Sequence, residues 1–353
     1  MKLVQAYFFR RCSRFSLLSA GLLVFLAILL LMACGRGNAS REVAYVTVPQ
    51  LYLRDQVAAT YNKVELVKNG DRLEVLERAR RFARVRTEGG KEGWVEQRYL
   101  TGQDTFDQLL KLAAEYKSAS VQGSGTTRND TNIHLLPARD ADHIYQVKEG
   151  EQVQVLKRAT SPKPQTALLI PAKHTTGRKL EEKPVMEDWW LVRDTQGHTG
   201  WVLSRMIDLN IPIEISQYAE GQRIVGAFQL DEVNDGDKKV PQYVVALSEP
   251  KDGMPFDFNQ IRVFTWNVKR HRYETAYRER KLSGFLPVNI ARENFDKEGN
   301  LPLFELHLKD VDGNLVERKY KLNGPIVRRV LTPEEQQSTA AQRRPGRRSR
   351  PQP

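Results

Sequence analysis

The sequence predicts a mainly β protein: two small barrels joined by a short helix, followed by an all-β sandwich or open-barrel domain. Three observations carry that expectation. A glycine-led motif of alternating apolar residues occurs twice before residue 209, a segment of helical period lies between the two copies, and eight short apolar runs bounded by turn residues fill residues 209–331. A chain of 353 residues, 40% hydrophobic, can build several modest cores.

The first element is an export signal over residues 1–33. Lys2, Arg10, Arg11 and Arg14 precede an uncharged apolar run from Ser16 to Ala33, and no acidic residue occurs before Glu42. A basic flank stays in the cytoplasm while the apolar run enters the bilayer. Two readings follow. The run is near the shortest that can span a membrane, so an uncleaved anchor is one. The other rests on Leu31-Met32-Ala33-Cys34, which resembles the lipobox of bacterial lipoproteins, Met32 departing from the small or branched residue usual there. That resemblance implies lipid attachment (diacylglyceryl, with palmitate) at Cys34, which becomes the new N-terminus. Residues 34–42, opening Cys-Gly-Arg-Gly-Asn-Ala-Ser, then form a flexible tether. Cys12 falls within the signal, so no disulfide can brace the mature chain, whose domains must rest on their hydrophobic cores.

The chain carries a formal net charge of +12, part of it in the signal and part in the arginine-rich tail, which leaves a mildly basic body. In an exported chain that charge meets anionic lipid, lipopolysaccharide or wall polymer, and no nucleic acid.

The two barrels are read from a repeat. "VKNGDRLEVLERA" (Val67 to Ala79) aligns with "VKEGEQVQVLKRA" (Val147 to Ala159), and "ARVRTEGGKEGWVEQRYL" (Ala83 to Leu100) with "WLVRDTQGHTGWVLSRMI" (Trp190 to Ile207). Each copy has a Lys-x-Gly turn, strands of period two, and a closing Gly-Trp-Val. The second carries an insertion at 161–188, rich in proline. These residues resemble the bacterial SH3 domain, or SH3b. Lys68-Asn69-Gly70 and Lys148-Glu149-Gly150 match its hairpin turn, Trp190 its mid-domain tryptophan (Phe82 or Ala83 in the first copy), and Gly93-Trp94-Val95 and Gly200-Trp201-Val202 its closing strand.

The resemblance implies SH3-like barrels at 43–101 and 129–208 and binding of peptidoglycan stem peptides or protein segments. Five or six such strands close around about a dozen apolar side chains. The glycine of each Gly-Trp pair is expected to allow a tight turn, and the indole to cover one end of the core. In the functional reading the exposed edges of Trp94 and Trp201, with Tyr52, Arg54 and Tyr99, line a peptide groove. The first copy keeps Leu53-Arg54 of the family's early strand. The second reads "TNIHLLPARD" and has no arginine there.

Between the barrels, 102–128 is a helical linker. Phe106, Leu109, Leu110, Ala113 and Tyr116 recur at helical spacing, Thr105 and Gln108 fit a capping box, and "QGSGTTRND" breaks the helix. In 209–331 the runs "RIVGAFQL", "QYVVALSE", "IRVFTWNV", "YETAYRE", "GFLPVNI", "LFELHLKD", "LVERKYKL" and "IVRRVL" read as strands, with "DVDGN" and "KRHR" as hairpin turns. The tail, 332–353, is polar, basic and expected to be disordered.

No enzyme, metal site or cofactor is expected. The mature chain has no thiol apart from Cys34, there is no Gly-x-Ser-x-Gly and no His-Glu-x-x-His, and the six histidines are scattered. "DEVNDGD" and "KDVDGN" lack the downstream glutamate of an EF-hand and read as turns, and His271 reads as a solvated turn residue. The tail arginines read as a solvated run or as an electrostatic attachment lost at high salt.

The expected function is that of a lipid-anchored envelope protein whose SH3b-like domains engage peptidoglycan peptide or an envelope protein without catalysis. No aspartate follows Cys34, so the periplasmic face of the outer membrane is favoured in a two-membrane cell, and the cell exterior otherwise. Two alternatives stand: an accessory or catalytic component of wall remodelling with its activity in residues 210–330, and a structural spacer for protein assembly.

Overall fold

A computed structural model describes residues 42–57, 62–164, 184–332 and 335. Cys34, the signal, most of the 161–188 insertion and nearly all of the tail lie outside the described residues. Among the described residues the strands form three seven-stranded sheets. They fall into two compact units, one of residues 42–44, 52–57, 62–65 and 72–97, the other of residues 45–51, 66–71 and those from 98 onward.

In the first unit, β4 (Arg72–Ala79), β5 (Phe82–Arg86) and β6 (Glu92–Glu96) form an antiparallel meander in which Val85 stands opposite Val75 and Gly93. Period-two alternation turns Leu73, Val85 and Val95 inward to meet Leu53, all nearly inaccessible, while the arginines and glutamates between them face out. Strands β1 (Val43–Val46), β2 (Gln50–Arg54) and β3 (Lys63–Lys68) precede this meander in the chain and β7 (Leu100–Gly102) follows it, in a sheet ordered β3-β2-β6-β5-β4-β1-β7. Gly70 and Gly150, the glycines of the two Lys-x-Gly turns, have φ of +81° and +80°. That left-handed backbone is why glycine stands at both places.

In the second unit, the second barrel comprises β8 (Gly123–Thr127), β9 (Thr131–His134), β10 (His143–Val147), β11 (Gln152–Pro162), β12 (Met186–Arg193), β13 (Thr199–Leu203) and β14 (Ile207–Leu209), ordered β10-β9-β13-β12-β11-β8-β14. β8 falls in "QGSGTTRND", read from sequence as a loop. It pairs with both β11 and β14, because Gly125 gives the close approach to Ile207 and Asp208 that a side chain would block. The β11–β12 ladder runs on through Pro162 and Met186, inside the 161–188 insertion.

The helix α1 (Gln103–Glu115) occupies the expected linker. Its capping box does not form. The N-cap is Gly102, without a side-chain cap, and buried Thr105 instead donates to Asp142 Oδ2 at 3.1 Å, a tertiary partner that outcompetes the helix end. Leu109 is buried and Phe106 stacks on Tyr45, but Leu110 faces solvent. Leu112 and Tyr116 pack on the second barrel, and Arg193 Nη2 donates to the Tyr116 carbonyl at the helix C-cap.

The C-terminal domain is a single antiparallel meander in sequence order: β15 (Arg223–Asp235), β16 (Lys238–Ser248), β17 (Phe258–Asn267), β18 (Arg272–Asn294), β19 (Asn300–Lys309), β20 (Leu315–Asn323) and β21 (Ile326–Val330). β15 also approaches β18 and β19, so the sheet curls into a half-barrel and is not a sandwich. Seven strands replace the eight runs because "YETAYRE" and "GFLPVNI" join in one strand, β18. Its first half pairs with β17 and its second with β19, and the exchange falls at Gly284, where a Cβ would lie 2.1 Å from the Phe258 ring. "DVDGN" and "KRHR" do form the β19–β20 and β17–β18 turns. His271 is exposed, yet its Nδ1 lies 2.7 Å from Asp235 Oδ2.

One apolar core runs from the second barrel into this sheet, joining Ile133, Val155 and Trp190 to Phe258, Phe304 and Tyr320. A buried ion cluster crosses the same junction. Arg158 donates to Asp188 Oδ1 (2.7 Å), Asp257 Oδ1 (3.1 Å) and the Phe256 carbonyl (2.8 Å), and Arg223 donates to Asp188 Oδ2 (2.8 Å). These bonds to both Nη groups and both carboxylates are what let such charges stay buried, with Arg158 Nε alone left without a partner among the described residues. The other face of the sheet is partly covered by the short helix α2 (Ile213–Ser216), whose Ile215 is buried among Val245, Leu247, Phe264 and Tyr273.

Candidate binding face

Gly93 and Val95 of β6 point into the first barrel, so Glu92, Trp94 and Glu96 point out and are half-buried. Trp94 stands opposite Arg54 on β2 and opposite Arg84 on β5. An indole is thereby flanked on both sides by arginines of the same sheet face, at the spacing where cross-strand side chains interact. Tyr52, two residues before Arg54 on the same face, is exposed, with the Lys63 ammonium 4.0 Å from its ring centre. Glu92 accepts from Arg84 (2.7 Å) and Arg86 (2.7 Å), and the Arg86 bond holds the Glu92 carboxyl below the usual carboxylate range. Arginine forks beside an aromatic surface suit carboxylate or carbonyl groups on an extended ligand.

Gly93 serves close packing rather than the tight turn read from the sequence. It lies within a strand, and a Cβ there would fall 2.8 Å from Leu53 Cβ and 3.0 Å from the Arg54 carbonyl oxygen. Gly200 does the same in the second barrel, with a Cβ 2.4 Å from Ile133 Cγ2 and 2.7 Å from the His134 oxygen. In both places only glycine lets the closing strand lie against the early one.

Trp201 takes the position of Trp94, opposite His134 where Trp94 meets Arg54. It is 9% exposed, enclosed with Leu156, Trp189 and Leu191 beneath Leu112 and Tyr116. His134 bonds the Ala141 carbonyl through Nδ1 at 3.0 Å and sets its ring edge-on to Trp189. Burial lowers the pKa of His134 and, with the neighbouring His134, that of His143. Tyr99 ends a short 3-10 turn, half-buried, with the Arg98 guanidinium 4.6 Å from its ring centre.

Of the five groove residues read from the sequence, Tyr52, Arg54 and Trp94 thus share one sheet face of the first unit, and Trp201 is buried between the outer face of the second barrel's sheet and the linker helix. Arg84 was not among them. Its signal is the alternation of "ARVR", which puts it in register with the tryptophan once the hairpin is drawn. Among the described residues no group of three or more histidines, cysteines or carboxylates is placed to hold a metal ion, and no helix is long and apolar enough to cross a membrane.

A family model of the bacterial SH3 domain matches residues 49–101, and that of the GW (Gly-Tryp) dipeptide domain matches residues 117–208. The chain carries a bacterial SH3 domain followed by a GW domain. The GW domain takes in β8, ahead of Asn129, where the sequence places the start of the second barrel. No family model matches the C-terminal part. No curated protein matches the chain. Among solved structures, an NlpC/P60 family protein from Bacillus cereus ATCC 10987 is similar at 11% identity and a TM-score of 0.21, over 51% of this chain and 62% of its own. NlpC2 of Trichomonas vaginalis is similar at 9% identity and a TM-score of 0.17, over 71% of this chain and 100% of its own. NlpC1 of the same organism gives 9% and 0.16, over 67% and 87%. The chain therefore spans 62% of the first of these structures, and likenesses this slight carry no argument about activity. The two domain types suggest a cell-wall-binding module.

Proposed function

We propose that this chain is a non-catalytic binding protein of the bacterial cell envelope, whose SH3 domain holds a peptidoglycan peptide, or a segment of an envelope protein, on the face around Trp94. The observation that carries the reading is Trp94 itself, half-buried between Arg54 and Arg84 on a sheet face that also bears Tyr52. The GW domain, with Trp201 enclosed, serves as a support. Cys34 tethers the chain by lipid to a membrane, on the periplasmic side of the outer membrane in a two-membrane cell or on the cell exterior.

A sacculus pull-down of the chain from Gly35 onward, at low and high salt, tests this beside Trp94→Ala. The expected result is retention at high salt by the parent chain and its loss in the variant. Binding that vanishes for both at high salt would leave only basic attraction, and no binding at either salt would remove the wall and leave the envelope protein as ligand. For the anchor, Cys34→Ser is expected to abolish lipid labelling. An unchanged, unlabelled membrane-bound chain in parent and variant alike would favour an uncleaved apolar anchor.

A further inference from the structure

One face of the C-terminal sheet carries two rungs of basic residues, of which only one is neutralised. Across the β17–β18 ladder Arg262 stands opposite Arg278, and Gln260 opposite Arg280, with Lys281 next in sequence. Like charges directly opposite repel. At the first rung Glu220 resolves the conflict, one oxygen lying 2.7 Å from Arg262 Nη2 and the other 3.0 Å from Arg278 Nη2.

The second rung has no such carboxylate. Gln260 Oε1 accepts from Arg280 Nε at 3.1 Å. Among the described residues, neither the Arg280 Nη groups nor Lys281 has a hydrogen-bond or ion-pair partner. Two buried donors beside them are also unpaired: Gln260 Nε2 and Arg262 Nε, in side chains of residues 6% and 1% exposed. A cavity of about 360 Å³ opens at this rung, lined by these four residues together with Glu220, Gln222, Glu249 and Asn259. Glu220 is engaged at the first rung, and Glu249 accepts from Asn259 Nδ2 at 3.3 Å. Unpaired buried donors are rare, because each forfeits its hydration without return. The two buried groups left unmet are both donors, and the exposed groups beside them are cations, so the partner that fits this rung is an acceptor bearing negative charge.

We propose that this cavity is an anion site of the C-terminal domain, taking a carboxylate or phosphate group of a small ligand at the second rung as Glu220 takes the first. Arg280 and Lys281 at the mouth supply its charge-assisted bonds, and the unpaired donors in its wall deepen the positive potential.

The test is a titration of the full chain, in micelles of an uncharged detergent, with inorganic phosphate and separately with acetate. Chloride holds the ionic strength and serves as the baseline for unspecific anions. Broadening of the ligand signal is followed by phosphorus NMR for phosphate and by carbon NMR for labelled acetate. Saturable broadening is expected from at least one of them, weakened roughly tenfold or more in Arg280→Gln/Lys281→Gln, since charge-assisted bonds are worth that much. Both residues are exposed, so the variant should fold, which near-UV circular dichroism checks. Gln260→Glu, which builds the carboxylate into the rung, should abolish binding, whereas Trp94→Ala should leave it unchanged. Saturation by acetate alone identifies a carboxylate ligand, by phosphate alone a phosphate ligand, and by both an unselective anion site. Absence of saturation by either anion, or equal binding by the double variant, would overturn the proposal.

Discussion

Trp94 and Trp201 close two copies of one motif, and the molecule treats them differently. Each follows a glycine that lets its strand lie against the early strand of its barrel. Each faces that early strand, Trp94 at Arg54 and Trp201 at His134. In the SH3 domain the indole stays half-buried between two arginines. In the GW domain Leu112 and Tyr116 of the linker helix pack over the same position, and Trp201 becomes core. The dipeptide fixes where the indole sits in the ladder. The element laid over the sheet decides whether a ligand can reach it.

Substitution of the two tryptophans tests that contrast most severely. Trp201→Ala is expected to cost about 3–5 kcal/mol, as for a buried aromatic, and Trp94→Ala about 1 kcal/mol or less, as for a partly exposed surface residue. Urea unfolding of the chain from Gly35 onward measures both, and equal costs would break the comparison.

The paired glycines sharpen it. Gly93→Ala and Gly200→Ala should each cost about 1–3 kcal/mol from overpacking. The larger cost should fall at Gly200, where the added carbon meets Ile133 Cγ2 at 2.4 Å against 2.8 Å to Leu53 Cβ for Gly93. Unfolding midpoints that ranked them in the opposite order would mean that the first barrel is the less yielding of the two.

The smallest expected effect is one of pH. Burial lowers the folded-state pKa of His134 and His143 below the ordinary 6.5, so folding favours the neutral rings. Their contribution is fully present above the unfolded value and is lost as pH falls through it toward the lower folded values. The midpoint of the second barrel should drop between about pH 7.5 and about 5.5, and His134→Gln should flatten that drop. The first barrel, residues 43–101, contains no histidine, so Trp94 fluorescence should report no matching loss there.

Much of this architecture was legible in the sequence because its signals are local. The Lys-x-Gly that opens each hairpin marks a left-handed turn in both copies. The helix and the C-terminal strands show their period directly. What escaped was tertiary. "SGTT" looks like a loop by composition and is a strand, because β11 and β14 offer it partners on both sides. Thr105 has the spacing of a helix cap and is drawn off by Asp142, which lies far along the chain. Two strand runs become one because β18 changes partners midway, a choice its neighbours make. For the candidate face, Arg54 and Trp94 were visible as residues, but Arg84 joins them only through register. The enclosure of Trp201 depends on Leu112 and Tyr116, which nothing in the motif encodes.

The continuous core and the Arg158 cluster bear on how the chain can be cut. A boundary at Asp208 looks natural from sequence, yet a fragment ending there would carry Arg158 and Asp188 without Asp257, Arg223 and the Phe256 carbonyl. It would also bare Trp190, Val155 and Ile133 to water. A guanidinium and a carboxylate formerly sealed inside would become the fragment's new surface, ringed by grease. The GW domain and the half-barrel thus belong together in any fragment, with separate names but a single fate on unfolding.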